Sequence, residues 1–415
     1  MSLLYDIGIR LYWLIAWIIS PWNKKARLWV KGRKKWYRDL SGAFEPGDRI
    51  SWFHCASLGE FEQGRPVIEA CRERFPDCRI LLTFFSPSGY EKQKQFHAAD
   101  HVMYLPLDTR RNASRMIAFL PLERAVFIKY EFWYHFLRTL EKEKIPTYLV
   151  SGNFRPDQAF FKWYGRWYRR FLQCFTHIFV QQEASLELLG KIGCQKVSVA
   201  GDTRFDRVHE LSGSPYKHPA IEGFCSGKEV VVAGSTWDKD EQILARAYLE
   251  LPEALRWIIA PHELSAGHLD SLQNRFPGSV LFTDLGDQVP SGARAIIVDT
   301  IGQLSYLYRF GTLAYIGGGF GKGIHNILEA ATYGQPVIFG PAYHKFAEAV
   351  ELAKLGGAFP IETEEDLLFT IRQQLENPEL LKTTSQIAAN FVSARIGATS
   401  AILEKVCIKS KANLF

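Results

Sequence analysis

Ile50-Ser51-Trp52-Phe53-His54-Cys55-Ala56-Ser57-Leu58-Gly59-Glu60 is the stretch on which the fold turns. Residues 50–56 form a short, mostly apolar run, which reads as a strand buried on both faces. A turn of small residues follows, and residues 64–75 carry apolar side chains at helical spacing. Strand, tight turn and helix make half of a βαβ unit. The same alternation recurs with apolar runs at 79–85, 101–107, 125–130, 147–151, 177–181 and 197–201. It predicts a parallel sheet with helices on both faces.

The rhythm breaks at 208–228, where Ser-Gly-Ser-Pro, Lys-His-Pro and Ser-Gly-Lys supply linker chemistry. It restarts with runs at 229–234, 256–260, 279–282, 295–298, 312–316 and 336–339. The expected fold class is α/β, with two Rossmann-like, doubly wound domains and a cleft between them. A chain of 415 residues suits two such cores. The expected boundaries are a membrane-associated helical segment over 1–40, a first domain over 41–207, a linker over 208–228, a second domain over 229–390 and a tail over 391–415.

Composition narrows the functional classes. Apolar residues make up 47% of the chain, which excludes a disordered polymer. A net charge of +6 is too mild to imply nucleic acid, and no nucleic-acid-binding motif is present. Cys55, Cys71, Cys78, Cys174, Cys194, Cys225 and Cys407 are scattered without a CxxC pair, as expected of thiols in a reducing compartment. His262 and His268 are six apart and so do not share a helical face as HExxH requires; no metal site is expected.

The amino terminus points to a membrane surface. Asp6 and Arg10 interrupt the apolar run over 3–19 and leave only 11–19 uncharged, short of the ~20 residues that span a bilayer. Lys24, Lys25, Arg27, Lys31, Arg33, Lys34, Lys35 and Arg38 follow with Trp22, Trp29, Trp36 and Tyr37 among them and no acid between. Such a segment suits the headgroup region of anionic lipid; the alternative is a core helix followed by a solvated basic helix. Residues 160–171, rich in Phe, Trp, Tyr, Lys and Arg, repeat this chemistry and suit a lipid or phosphorylated-lipid surface.

Ligands of doubly wound sheets sit beyond the carboxyl ends of the strands. Glu60 lies there after the first strand, opening a helix. It suits a base that takes a proton from a hydroxyl, weakened by the helix dipole, or else a residue that only complements that dipole. Glu131 follows the fourth strand between aromatic residues, where a carboxylate needs a function or a partner such as Lys129 or an arginine. In the second half, Gly317-Gly318-Gly319-Phe320-Gly321-Lys322-Gly323 joins a strand to a helix expected over 326–333. It has neither the G-x-G-x-x-G nor the P-loop register, but Gly318 and Gly319 are candidates to approach a phosphate. Ser235 and Thr236 are candidates on the neighbouring loop. Asn326 and Glu329 share a helical face, where Glu329 suits a ribose diol, and the 299–304 loop reaches the same edge.

Together these motifs become specific. His-x-x-Ser-x-Gly-Glu, Tyr-Glu-x-Trp, Gly-Asp-Thr-Arg-Phe-Asp, Gly-Ser-Thr, Asp-Thr-x-Gly-Gln-Leu and Gly-Gly-x(5)-His-Asn-x-Leu-Glu-Ala-Ala occur in that order. The set resembles the 3-deoxy-D-manno-octulosonic acid (Kdo) transferases of lipopolysaccharide assembly, from the start of the chain to about residue 350. The resemblance implies a GT-B fold and an inverting transfer of Kdo from CMP-Kdo to a lipid A precursor, at the cytoplasmic face of the inner membrane. It implies no cofactor and no metal. It makes Glu60 the general base, and Glu131 and Arg204 the residues that stabilise the transition state. Pro261, His262, Gly302, Gln303, Leu304, Asn326, Ile327, Leu328 and Glu329 fall where such enzymes hold CMP, and the tail is expected to return to the first domain. The chain departs from the family pattern at His262 where Arg is usual, Gln303 for Glu, Arg204 for Lys, Ile327 for Pro and Ile324 for Gly. A GT-B transferase of another nucleotide sugar, or a silent lipid-binding relative, is the alternative.

Overall fold

Among the described residues there are fourteen short strands, most of them where the chain runs apolar on both faces. β1 (Arg49–Cys55), β2 (Cys78–Phe84), β3 (His101–Tyr104), β4 (Leu122–Ile128), β5 (Thr147–Gly152), β6 (His177–Val180) and β7 (Val197–Val199) make one sheet. β8 (Val230–Thr236), β9 (Arg256–Pro261), β10 (Ser279–Leu281), β11 (Ala295–Ile297), β12 (Leu313–Ile316), β13 (Val337–Phe339) and β14 (Ala358–Pro360) make the other. The computed structural model describes residues 2–45 and 47–406; Cys407 and the rest of the tail lie outside the described residues.

Strand order is β3-β2-β1-β4-β5-β6-β7 in the first sheet and β10-β11-β9-β8-β12-β13-β14 in the second. Pairing is parallel throughout. The connections reverse direction between β1 and β4, and between β8 and β12. Those switch points are where doubly wound sheets leave a crevice beyond their strand ends. The loops after β1 and β4, and after β8 and β12, are thereby set beside one another.

The first compact unit takes in the chain up to Asp206 and again from Ile396; the second is Arg207–Arg395. In the first, Trp52, Phe127 and Phe136 fill one side of the sheet with no exposed surface, and Phe53, Phe61 and Phe84 fill the other. The helix Ala398–Val406 packs Ile402, Leu403 and Val406 into that second face. Asp206 fastens its start by accepting from the Gly397 and Thr399 amides at 2.5 and 2.6 Å.

Three local readings change. The 208–228 segment holds the end of one helix, Thr203–Gly213, and another, Pro219–Cys225. The helix expected over 326–333 is the single turn Leu328–Ala331, because the Asn326 side chain accepts from the Leu328 amide at 3.1 Å and starts it late. β14 has no counterpart in the sequence reading.

The amino terminus is one helix, Ser2–Ile19, with no buried residue. By length and composition it is long and apolar enough to cross a membrane, although its uncharged run, 11–19, is short of a bilayer's span. Its charged turn is engaged with the first unit. Asp6 lies 2.6 Å from His135 Nε2, and the Tyr5 hydroxyl donates to Asp108 at 2.5 Å.

The basic segment is less uniform than its composition suggests. Trp29 is buried, as is Arg33, the one exception to the exposure of its eight cations. The Arg33 guanidinium donates to the carbonyls of Leu105, Trp29 and Phe85 at 2.8, 2.9 and 2.6 Å and lies 4.0 Å over the Trp29 ring. It pins the Lys24–Gly32 helix to the sheet edge. Arg33→Ala takes this donor from three main-chain carbonyls, two of them in buried bonds and one part-buried, and is expected to lose about 3 kcal/mol of stability, read as a fall in Tm. Arg33→Lys recovers only part, because one ammonium cannot reproduce the planar fork.

Candidate active site

Ser57 ends β1's loop in extended conformation and caps the helix Leu58–Arg74. Its amide donates to Glu60 Oε2 at 2.9 Å and its hydroxyl to the same oxygen at 3.1 Å. The capping box therefore fixes the Glu60 carboxylate at the strand end instead of leaving it in solvent. Half-burial, then the negative charge of Glu131, pushes its pKa above the usual carboxylate range; the Ser57 bonds and His54 oppose this without cancelling it. The weakened base expected from the helix dipole is thus corrected: burial and a like charge outweigh the helix start, and proton affinity rises.

Glu131 is buried, with 7% of its surface exposed. Its Oε2 accepts from Trp133 Nε1 at 2.7 Å and lies 3.1 Å from His54 Nε2. His54 is held from its other side by the Thr83 hydroxyl, 2.8 Å from Nδ1. The turn that delivers Glu131 here starts at Lys129, a non-glycine residue with φ of 69°. Such a conformation persists where the surrounding structure dictates it. Arg204 forks onto Asp202 at 2.7–3.2 Å. Its neighbour Thr203 is fully buried and donates at 2.5 Å to the Gln63 carbonyl, one turn along the Glu60 helix. The structure thus joins Glu60 with Glu131 and ties the Arg204 segment to the same helix.

The second unit gathers the remaining candidates at the ends of β8, β9 and β12. The His262 amide donates to the Thr236 carbonyl at 2.9 Å. Trp237 and His325 are nearly coplanar, joined by a 3.1 Å bond from the indole Nε1. His262 stacks across both, 4.3 and 4.8 Å from their ring centroids. Burial and His262 lower the pKa of His325. Glu329 accepts from Ser305 at 2.6 Å and Asn326 at 3.1 Å, and Gln303 accepts from the Tyr216 hydroxyl at 3.0 Å. Pro261, Ile327 and Leu328 are buried and their side chains carry no polar group, whereas Gly302 is exposed. Leu304 packs beneath Gly234.

The phosphate-loop candidates fare differently. Thr236 is fully buried and donates to Glu241 at 3.1 Å. The Gly318 amide donates to buried Asp240 at 2.8 Å, and Gly319 backs onto Gly340, 2.5 Å from where a Cβ would sit. Ser235, half-buried with φ of 54°, retains surface at this edge. The glycine run is therefore explained by close strand-end packing.

Several partners lacked a role in the sequence reading. His54 and Trp133 stand inside quoted motifs, so their positions were visible but not their contact with Glu131. Asp240, which holds both the Gly318 amide and the Tyr315 hydroxyl, had no place in the motifs. Among the described residues no cluster of His, Cys, Asp and Glu is arranged to hold a metal.

Residues 29–207 match the family model described as 3-deoxy-D-manno-octulosonic-acid transferase (kdotransferase). The 3-deoxy-D-manno-octulosonic acid transferase of Rickettsia felis is 28% identical over 83% of this chain and 75% of its own length. That of Aquifex aeolicus is 28% identical over 80% of this chain and 87% of its own. Among solved structures, the UDP-GlcNAc 2-epimerase of Neisseria meningitidis superposes with a TM-score of 0.59, at 16% identity, over 88% of this chain and 100% of that one. That likeness concerns the fold alone, which is GT-B.

Proposed function

Because the chain belongs to the Kdo transferase family and is a GT-B glycosyltransferase, we propose that it transfers Kdo from CMP-Kdo to a sugar hydroxyl of a lipid A precursor, with inversion. The observation that carries the reading is Glu60. It is a carboxylate of raised proton affinity, held by its cap at the switch point of the first sheet beside Glu131. In the proposed step, ionised Glu60 takes the acceptor hydroxyl proton. The oxygen forms its bond to the anomeric carbon from the face opposite CMP, and CMP departs with the bonding pair as an anion. Such a leaving group needs no protonating acid. A carboxylate of higher proton affinity is the better proton acceptor, and burial beside Glu131 moves Glu60 in that direction. Glu131 and Arg204 are proposed to stabilise the charge that develops. The second unit's Pro261–His262, Gly302–Leu304 and Asn326–Glu329 are proposed to hold CMP.

The test is transfer of labelled Kdo, from CMP-Kdo made in situ, to a tetraacylated lipid A precursor in detergent. Labelled lipid supports the reading; CMP binding without product sends the search to another donor sugar or acceptor.

We also propose a monotopic seat on the cytoplasmic face of the inner membrane. The exposed apolar side chains of Ser2–Ile19 and the seven exposed cations after it support this, as does the hold on Tyr5 and Asp6. Leu14→Glu with Ile18→Glu removes about 1.5 kcal/mol of apolar burial at each position. Affinity for anionic vesicles is expected to fall about 100-fold, read by sedimentation with the fold intact. Unchanged binding would remove the membrane role of this helix.

A further inference from the structure

Beside the carboxylates the first unit holds a cavity of about 620 Å³, walled by Leu4, Tyr5, Tyr130, Phe132, Phe160 and Trp167 among others. That size is within the roughly 300–1,000 Å³ of small-molecule sites. Its walls come from three places that sequence alone does not connect: the amino-terminal helix, the segment after β4, and the aromatic cluster over 160–171. That cluster, read as a lipid-facing surface, is in fact divided. Phe160 and Phe171 are buried and line the cavity from below, and Trp163 is 94% exposed.

The segment after β4 is a partition. Tyr130 and Phe132 face the cavity, whereas Glu131 and Trp133 bond on the other side with His54. One short stretch thereby serves both spaces. Cations stand at the rim: Arg155 donates to the Tyr130 hydroxyl at 3.4 Å, and the Lys129 ammonium lies 5.5 Å from its ring. At the cavity's outer side Leu4 is 65% exposed, continuous with the apolar face of Leu3 and Ile7.

We propose that this cavity takes one acyl chain of the acceptor lipid, whose anionic head group then lies at Lys129 and Arg155, one wall away from Glu131 and Glu60. An aromatic lining with few polar groups suits an alkyl chain. The cationic rim suits the anion attached to it, and the exposed helix beside it offers a path from a bilayer. This rests on the proposed acceptor being a lipid, and it adds the place where the chain sits. It also explains the split of the 160–171 cluster, half cavity wall and half exposed surface.

Ala159 and Tyr168 both line the cavity, and neither is bonded to Glu60 or Glu131. Ala159→Trp fills the space and Tyr168→Ala widens it. The probes are octyl, decyl and dodecyl phosphate below their micelle concentrations. Wild-type protein is expected to bind them saturably, tighter with length, and Ala159→Trp to bind dodecyl phosphate roughly tenfold or more weakly, the worth of about two buried methylenes. Tyr168→Ala should move the preferred chain to a longer one. In transfer, Ala159→Trp should lose kcat/KM toward the acylated acceptor but keep it toward a fully deacylated one. Equal alkyl phosphate binding in all three proteins, or equal loss with both acceptors, overturns the proposal. Vesicle binding without saturable alkyl phosphate binding also overturns it, because the amino-terminal helix alone then meets lipid. Alkyl phosphates that bind wild type and are excluded by Ala159→Trp, in a protein that transfers no Kdo, would uphold the cavity and fail the transfer reading.

Discussion

Glu60→Gln is expected to lower sugar transfer by about 10²–10⁴-fold while CMP binding stays within about twofold of wild type. Gln preserves the cap, since its amide oxygen can still accept from the Ser57 amide that Glu60 now engages at 2.9 Å. What it removes is the proton acceptor. Stability separates this from a folding defect, and its sign follows from linkage. The folded-state pKa of Glu60 is raised by burial and by Glu131, so the folded protein holds this proton more tightly than the unfolded chain. Its contribution favours folding at low pH and is lost as pH rises through the folded pKa. Above the folded-state pKa the ionised carboxylate therefore opposes folding, and there Glu60→Gln should be at least as stable as wild type. A Tm that falls together with activity would mean that Glu60 only caps its helix. Turnover equal to wild type would end its role as base.

The same shift predicts a pH profile. The base works ionised, so kcat/KM should fall on the acid side through a pKa above the ordinary glutamate value. Glu131→Gln removes the second-largest cause of the shift and should move that acid limb to lower pH, whatever it does to the maximal rate. An unmoved limb would assign it to another group.

The sequence made the fold legible because parallel strands buried on both faces leave uninterrupted apolar runs, and thirteen of the observed strands overlap such runs. β14 escaped because it has three residues, ends in Pro360 and follows Gly356-Gly357, which read as a turn. The Leu328–Ala331 turn was overextended for the opposite reason. Asn326 suits a helical face, but its side chain accepts from the Leu328 amide and starts the turn late, and Gly334, with φ of 73°, ends the non-helical turn that follows Ala331.

The candidate site was legible in position and not in energy. Glu60 follows its strand, and a strand end in a doubly wound sheet is where chemistry gathers. Its proton affinity depends on Glu131, brought beside it only by the β1–β4 pairing. No local rule gives that, and the local rule that did apply, the helix dipole, points the wrong way. Arg33 teaches the same about the membrane segment. Composition put it with seven other cations, while tertiary packing took it out of their surface and into the sheet edge. Burial decides both cases, and burial is a property of the whole chain.

The glycine run gives the second large effect, and a sharper contest between explanations. Gly317 leaves β12 beside the end of β8, and a Cβ on it would lie 2.3 Å from the Ser235 carbonyl oxygen and 2.6 Å from the Thr236 Cα. Both obstacles are backbone, so no rotamer change relieves them. Nor can the β8 end retreat easily. The Gly317 amide is bonded to the Gly234 carbonyl at 2.9 Å, and Thr236 is bonded to buried Glu241. Gly317→Ala should therefore cost about 3 kcal/mol, lowering the Tm of the second unit by roughly 6–12 °C as followed by calorimetry. A phosphate-cradling glycine predicts the reverse: normal melting, with CMP affinity lost because the backbone is shielded. A combined loss follows from the packing here, since the strand ends that Gly317 joins also position Ser235, His262 and the His325–Glu329 segment. Under that reading, CMP added at saturation should recover part of the lost Tm, because binding to the folded state alone pulls the displaced ends back. Full melting stability without CMP binding would instead return the run to the phosphate.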